Sequence, residues 1–224
     1  MASLGQSTAA GSTEQQFERV FAKFNTVAPP SYRAFRRLEG GVANSDKNGW
    51  LEAWTEYTPG GGFSFNVVNE GGSDYVRNKV LRGMLTSEQQ LIAAGKRVRT
   101  SLDAKNYTFE DGGITESGLH RILMVPSKKS DGLVDGSVYL DPESGLVTRI
   151  QGRLVKSPSF WVRDVDVAWK FAHVAGHVVP VEMTSTGRVR MFGRSSFRMV
   201  YDYVSIDGRS TGAGLRAALR EEQP

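Results

Sequence analysis

No cysteine occurs anywhere in the 224 residues. That excludes a disulfide frame, a thiolate zinc site, an iron–sulfur cluster and a thiol nucleophile. It leaves the redox compartment open, since a chain this long buries most of its unfolded surface without covalent help. No run approaches the ~18 consecutive apolar residues of a membrane-spanning helix. The segment Met1-Ala2-Ser3-Leu4-Gly5 lacks the charged and apolar regions of a signal peptide. The N-terminus alone does not decide the compartment: it fits the cytoplasm, or the periplasm with a signal peptide outside this sequence. Charge of one sign is also scarce: 28 basic residues face 24 acidic ones, for a net +4. The longest basic runs are pairs, such as Arg36-Arg37 and Lys128-Lys129. Such a mixed surface argues for no nucleic-acid partner. Nucleophilic-serine, phosphate-loop and dinucleotide fingerprints are missing, and Gly60-Gly61-Gly62 joins a strand to a strand rather than to a helix.

What the chain does have is glycine-punctuated alternation. Residues 1–11 are small and polar and read as a loose N-terminus. Ser12 or Thr13 then caps a helix, with Phe17, Val20, Phe21 and Phe24 at helical spacing and Pro29-Pro30 as its stop. Strands follow over 31–39, 50–58 and 63–68, separated by glycine-rich breaks. From Ser73 to about Lys105 the apolar period becomes helical, giving one long helix or two consecutive ones, with Thr86 a candidate cap for the second. Strands resume over 106–110, 113–125, 132–141, 145–155, 159–173, 177–187 and 188–204. Residues 206–224 read as a tail, with a short helix possible from Gly208. With no repeat and no linker, residues 12–205 form one domain.

Parity assigns faces to the strands. Leu146, Thr148 and Ile150 share the covered face of 145–155. Trp161, Val165, Val167, Trp169 and Phe171 share one in 159–171, with Arg163 among them. Phe197, Met199, Tyr201 and Tyr203 align against Arg198 and Asp202, and Phe63, Phe65 and Val67 align against Ser64 and Asn66. Long strands with one aromatic-rich face build a curved sheet whose concave side needs covering. Phe63, Phe65, Leu146, Ile150, Trp161, Val165, Trp169, Phe197 and Met199 are the residues expected to line it. Arg188, Arg190, Arg194 and Arg198 mostly share the opposite parity, a basic solvent face without the stacking aromatics of a nucleic-acid platform.

Residues with chemical potential are few. His173 and His177 flank the Ala175-Gly176 turn but lack a third metal ligand at a convincing spacing. Asp164 and Asp166 lie two apart on one strand face, where water is the ordinary neighbour. Glu52 and Glu56 alternate with Trp50 and Trp54, a mixed aromatic and acidic pattern also found at sugar sites. No cofactor or metal is expected.

The order of elements resembles the bacterial outer-membrane lipoprotein-sorting superfamily, the LolA/LolB-type carriers and their relatives. Local text is similar too: Gly136-Ser137-Val138-Tyr139-Leu140-Asp141, then 145–152, Ser157-Pro158-Ser159-Phe160-Trp161-Val162, and Gly176-His177-Val178-Val179-Pro180. The resemblance implies a mainly β fold with α elements: a curved antiparallel sheet forming an incomplete barrel of about ten or eleven strands, covered by an N-terminal helix and a central helical segment. It implies a periplasmic, non-catalytic carrier whose apolar cavity holds a lipid or a lipoprotein acyl chain, with a membrane-associated protein as a further partner. In that family an arginine faces the cavity; Arg33, Arg36 and Arg37 are all placed for it and differ in parity. Two alternatives stand beside the carrier: a regulatory or scaffold domain whose own helices fill the cavity, and a glycan- or lipid-acting enzyme using Glu52, Glu56 or Asp164.

Overall fold

A computed structural model describes residues 17, 19–22, 24–25, 30–95, 101–157, 162–191 and 193–212. The expected loose N-terminus, the Ser12/Thr13 cap, Trp161 and most of the expected tail lie outside them.

Eleven strands form one antiparallel sheet: β1 (Tyr32–Val42), β2 (Asn48–Thr58), β3 (Gly62–Gly72), β4 (Tyr107–Ile114), β5 (His120–Pro126), β6 (Val134–Leu140), β7 (Val147–Leu154), β8 (Val162–Val174), β9 (His177–Val189), β10 (Gly193–Ile206) and the short β11 (Arg209–Ser210). The spatial order is β3-β2-β1-β10-β9-β8-β7-β6-β5-β4, with β11 beside β10. Two meanders thus run outward from a central β1–β10 pair, and the sheet stays open with β3 and β4 as its edges. The 159–173 expectation corresponds to β8. The last two expected strands meet not at 187/188 but at a turn after Val189. Part of the expected tail is strand: Asp207 and Gly208 both take positive φ, 46° and 73°, and fold Arg209–Ser210 back on β10. Such pairs of left-handed residues match the right-handed twist of the strands they join.

Topology dictates where the helices go. The chain leaves the β3 edge and must re-enter at the β4 edge, so its connection crosses the open side of the sheet. It does so through a π-helical turn, Val76–Leu81, that continues without a break into the α-helix α1 (Arg82–Ala93). The junction falls at Leu81/Arg82, and Thr86 sits inside the helix rather than capping it.

Sharp curvature comes from glycine. Gly136 of β6 lies opposite Gly152 of β7. A Cβ on Gly136 would stand 2.1 Å from the Gln151 carbonyl oxygen, and one on Gly152 would stand 2.2 Å from that of Asp135. Only glycine permits backbones this close.

The inner face carries two cores. Over β4–β8, Tyr107, Ile122, Met124, Val138, Ile150 and Val165 pack with Phe17 and Phe21 of the N-terminal helical residues. Over β1–β3 and β10, Leu38, Leu51, Phe63, Phe197 and Met199 pack with Val76, Leu81 and Leu85 of the connection. A smaller third cluster joins Ala34, Val179, Tyr203 and Ile206.

Candidate functional site

Strand β1 places one charge inside. Ala34, Arg36 and Leu38 share the inner face and are all buried, with Arg36 only 1% exposed. Arg33 and Arg37 point outward, where each guanidinium lies over a tryptophan (Trp54 at 4.3 Å, Trp50 at 4.8 Å). The three candidate arginines are thereby separated: Arg36 is the interior one.

Its surroundings are aromatic. The Arg36 guanidinium lies over Tyr201 (4.5 Å), Phe63 (5.0 Å) and Tyr32 (5.7 Å). It donates to Glu88 of α1 through both terminal nitrogens (2.6 and 3.1 Å) and to the Tyr32 hydroxyl (2.6 Å). Burial opposes the charge, but the facing Tyr201 and Tyr32 oxygens and the Glu88 carboxylate outweigh it, holding the Arg36 pKa above its ordinary value. Burial in turn pushes the Tyr201 phenol up to about 12, against the pull of Arg36. The buried Arg36 Nε has no acceptor among the described residues, a costly state for a buried donor.

The helix that carries Glu88 buries little of its own surface. Of the twelve residues of α1, Leu85 alone is buried. Besides the Arg36–Glu88 pair, a bond from Gln89 to the Phe63 carbonyl (3.1 Å) and one from Arg82 to Glu70 of β3 (2.8 Å) tie the helix to the sheet. The π-helical turn before it departs from the ordinary helical ladder, as hinge-like segments often do.

Between the two cores runs a seam on β8 and β9. Trp169 faces Met183 in register, and Met183 faces Met199 of β10. Trp169 packs against one core and Met183 against the other, and both stay half-buried.

The residues expected to line a single hollow are therefore divided. Ile150, Val165 and Trp169 belong to the first core; Phe63, Phe65, Phe197 and Met199 belong to the second. Leu146 joins neither: a register shift between Tyr139 and Leu140 sets Val147 opposite Leu140 and turns Val147 inward, so strand parity fails there. A second bulge, between Arg163 and Asp166 with Asp164 at φ 50°, puts Arg163 outside beside the exposed Asp164 and Asp166. Two depressions on the described surface are lined by no helix residue and by none of the inner-face aromatics. Helical residues pack on both cores of the inner face and leave the Trp169–Met183 seam half-buried.

Other sequence candidates take part in ion pairs. Glu52 meets Arg37 at 2.9 Å and Glu56 meets Arg33 at 3.2 Å, both on the outer face. His177 turns to Asp207 at 2.9 Å, and the described residues hold no cluster of three metal-ligating side chains. Sequence reasoning missed Glu88, Tyr32, Met183 and the role of Tyr201. A charge at Arg36 among Ala34, Leu38 and Gly40 of like parity was the available signal.

The site thus belongs to an open, half-barrel-like sheet with helical covers and, among the described residues, one buried cation, Arg36, beneath α1. In fold the chain is similar to the crystal structure of a LolA superfamily protein from Nitrosomonas europaea, at 6% identity and a TM-score of 0.42, over 84% of this chain and 90% of that one. It is also similar to an outer membrane lipoprotein-sorting protein domain from Vibrio parahaemolyticus, at 11% identity and a TM-score of 0.36, over 92% and 99%. No family model matches the chain, and no curated protein matches it. No helix among the described residues is long and apolar enough to cross a membrane.

Proposed function

We propose that this protein is a non-catalytic periplasmic carrier or receptor for an acyl chain, which enters along the Trp169–Met183 seam as α1 lifts. The observation that carries this reading is the lightly buried helix: an aromatic-rich inner face lies under a cover that buries one side chain of its own and is held by the Arg36–Glu88 and Arg82–Glu70 pairs. Burying alkyl surface stabilises by about 0.8 kcal/mol per CH₂, so a long chain can replace the contacts α1 gives up. The unpartnered Arg36 Nε offers a donor to an ester or amide oxygen at the head of such a chain. The sequence resemblance to LolA/LolB-type carriers points the same way, with a lipoprotein acyl chain as the cargo.

Native mass spectrometry of protein purified from a bacterial periplasm tests the reading. Wild-type protein is expected to carry lipid adducts that Trp169→Glu loses while its circular dichroism stays unchanged. Bare wild-type protein that also takes up no added lipid would count for the scaffold alternative, in which the helices are permanent filling.

A further inference from the structure

Cross-strand charges on the outer face of β8, β9 and β10 are balanced along one row and unbalanced along another. In the first, Glu182 of β9 takes Lys170 of β8 on one side and Arg198 of β10 on the other, at 2.5 and 2.7 Å. Nearer the β9–β10 turn, Arg188 of β9 has Arg163 of β8 as its register partner on one side and Arg194 of β10 on the other. All three are exposed. Adjacent strands lie about 4.8 Å apart, so three like charges stand shoulder to shoulder, within a Debye length of about 8 Å of their neighbours. Like charges directly opposite destabilise a sheet, and folding gains nothing from this row. Arg190 joins them around an open depression of about 470 Å³, whose lining holds four arginines against one carboxylate, Asp164.

The turn beside this row adds an apolar element. Met191 is 91% exposed, more than any other large apolar side chain among the described residues. Its φ is 69°, a left-handed conformation that glycine or asparagine adopts at lower cost. A strained, protruding methionine beside a cationic row suits a surface that is anionic outside and apolar just beneath. Phe197, the described aromatic of β10 nearest this row, points inward rather than standing beside the arginines as a base-stacking platform would require.

We propose that the β9–β10 end of the sheet docks on anionic membrane lipid, with Arg163, Arg188 and Arg194 taking headgroup phosphates and Met191 entering the apolar layer. This docking surface stands apart from the acyl reading: vesicle binding without acyl uptake leaves the one and removes the other.

Sedimentation with phosphatidylcholine vesicles, with and without phosphatidylglycerol, provides the test. Wild-type protein is expected to bind the vesicles containing phosphatidylglycerol, to leave them as salt is raised, and to ignore phosphatidylcholine alone. Each arginine replaced by alanine lowers partitioning by about fivefold, and the triple replacement by about a hundredfold. Met191→Ser weakens binding but leaves the salt dependence. Arg188→Glu restores the alternation of the Lys170–Glu182–Arg198 row, so it is expected to weaken vesicle binding while keeping or raising the melting temperature. Wild-type protein that ignores anionic vesicles, or a triple variant that binds them as well as wild type, would overturn the proposal. So would tight binding of a labelled single-stranded oligonucleotide in their place.

Discussion

Arg36 and Glu88 set the energetics of the interior at the residue scale. A buried ion pair adds little over an apolar pair of equal volume, but breaking one side of it is expensive, about 3–5 kcal/mol. Glu88 keeps 16% of its side chain exposed against 1% for Arg36, so Glu88→Ala is expected to cost about 3 kcal/mol, the lower end of that range. Glu88→Gln, which retains an acceptor, costs less. Urea unfolding reads both; equal midpoints for wild type and Glu88→Ala would show that the pair does not hold the cover. A second residue-scale prediction concerns acid. Hydrogen bonds from Lys170 and then Arg198 hold the Glu182 carboxyl below its ordinary value of 4.5, outweighing its burial. Because the folded form has the lower pKa, its stabilisation is complete above about 4.5 and is lost as the pH falls through the folded value. Asp166, held down by Arg153, acts in the same sense. Glu182→Gln should therefore unfold earlier at neutral pH and lose less on acidification than wild type. Parallel pH profiles for the two proteins would contradict this.

Among the elements, α1 and the central strands should differ most in local stability. Strands β1 and β10 are paired on both sides along most of their length and carry Leu38 and Met199 in the core, whereas α1 buries only Leu85. Hydrogen exchange is expected to be faster across α1 than across β1 and β10, with Glu88→Ala widening the gap. Uniform protection would mean that helix and sheet open together. The same contrast shows how much of the site was legible. Alternation of Phe63, Phe65 and Val67, or of Val165, Val167 and Trp169, reports an inner face directly, because side-chain direction has period 2. It fails at Leu146 and at Arg163, where an extra residue in one strand flips the count, and single-strand parity carries no trace of a bulge. The pairing of Arg36 with Glu88 joins residues 52 apart, so it follows only from knowing that the β3–β4 connection crosses the open side.

At the scale of the whole molecule, the sheet order was within reach of the sequence: meander strands, a helical interruption and a longer meander leave few ways to join the halves. That β1 pairs with β10 makes the interruption a strap across the mouth rather than a surface helix. Occupancy of the interior was not legible, because an aromatic-rich face reads the same whether a helix or a ligand covers it. The central claim is that α1 is a displaceable cover over an acyl site. Titrating a fluorescent fatty acid into wild type, Glu88→Ala and Trp169→Glu tests it most directly. Loosening the cover raises the fraction of binding-competent protein and so the apparent affinity. The account predicts saturable binding that Glu88→Ala tightens and Trp169→Glu abolishes; no saturable binding, or equal binding by all three proteins, would contradict it.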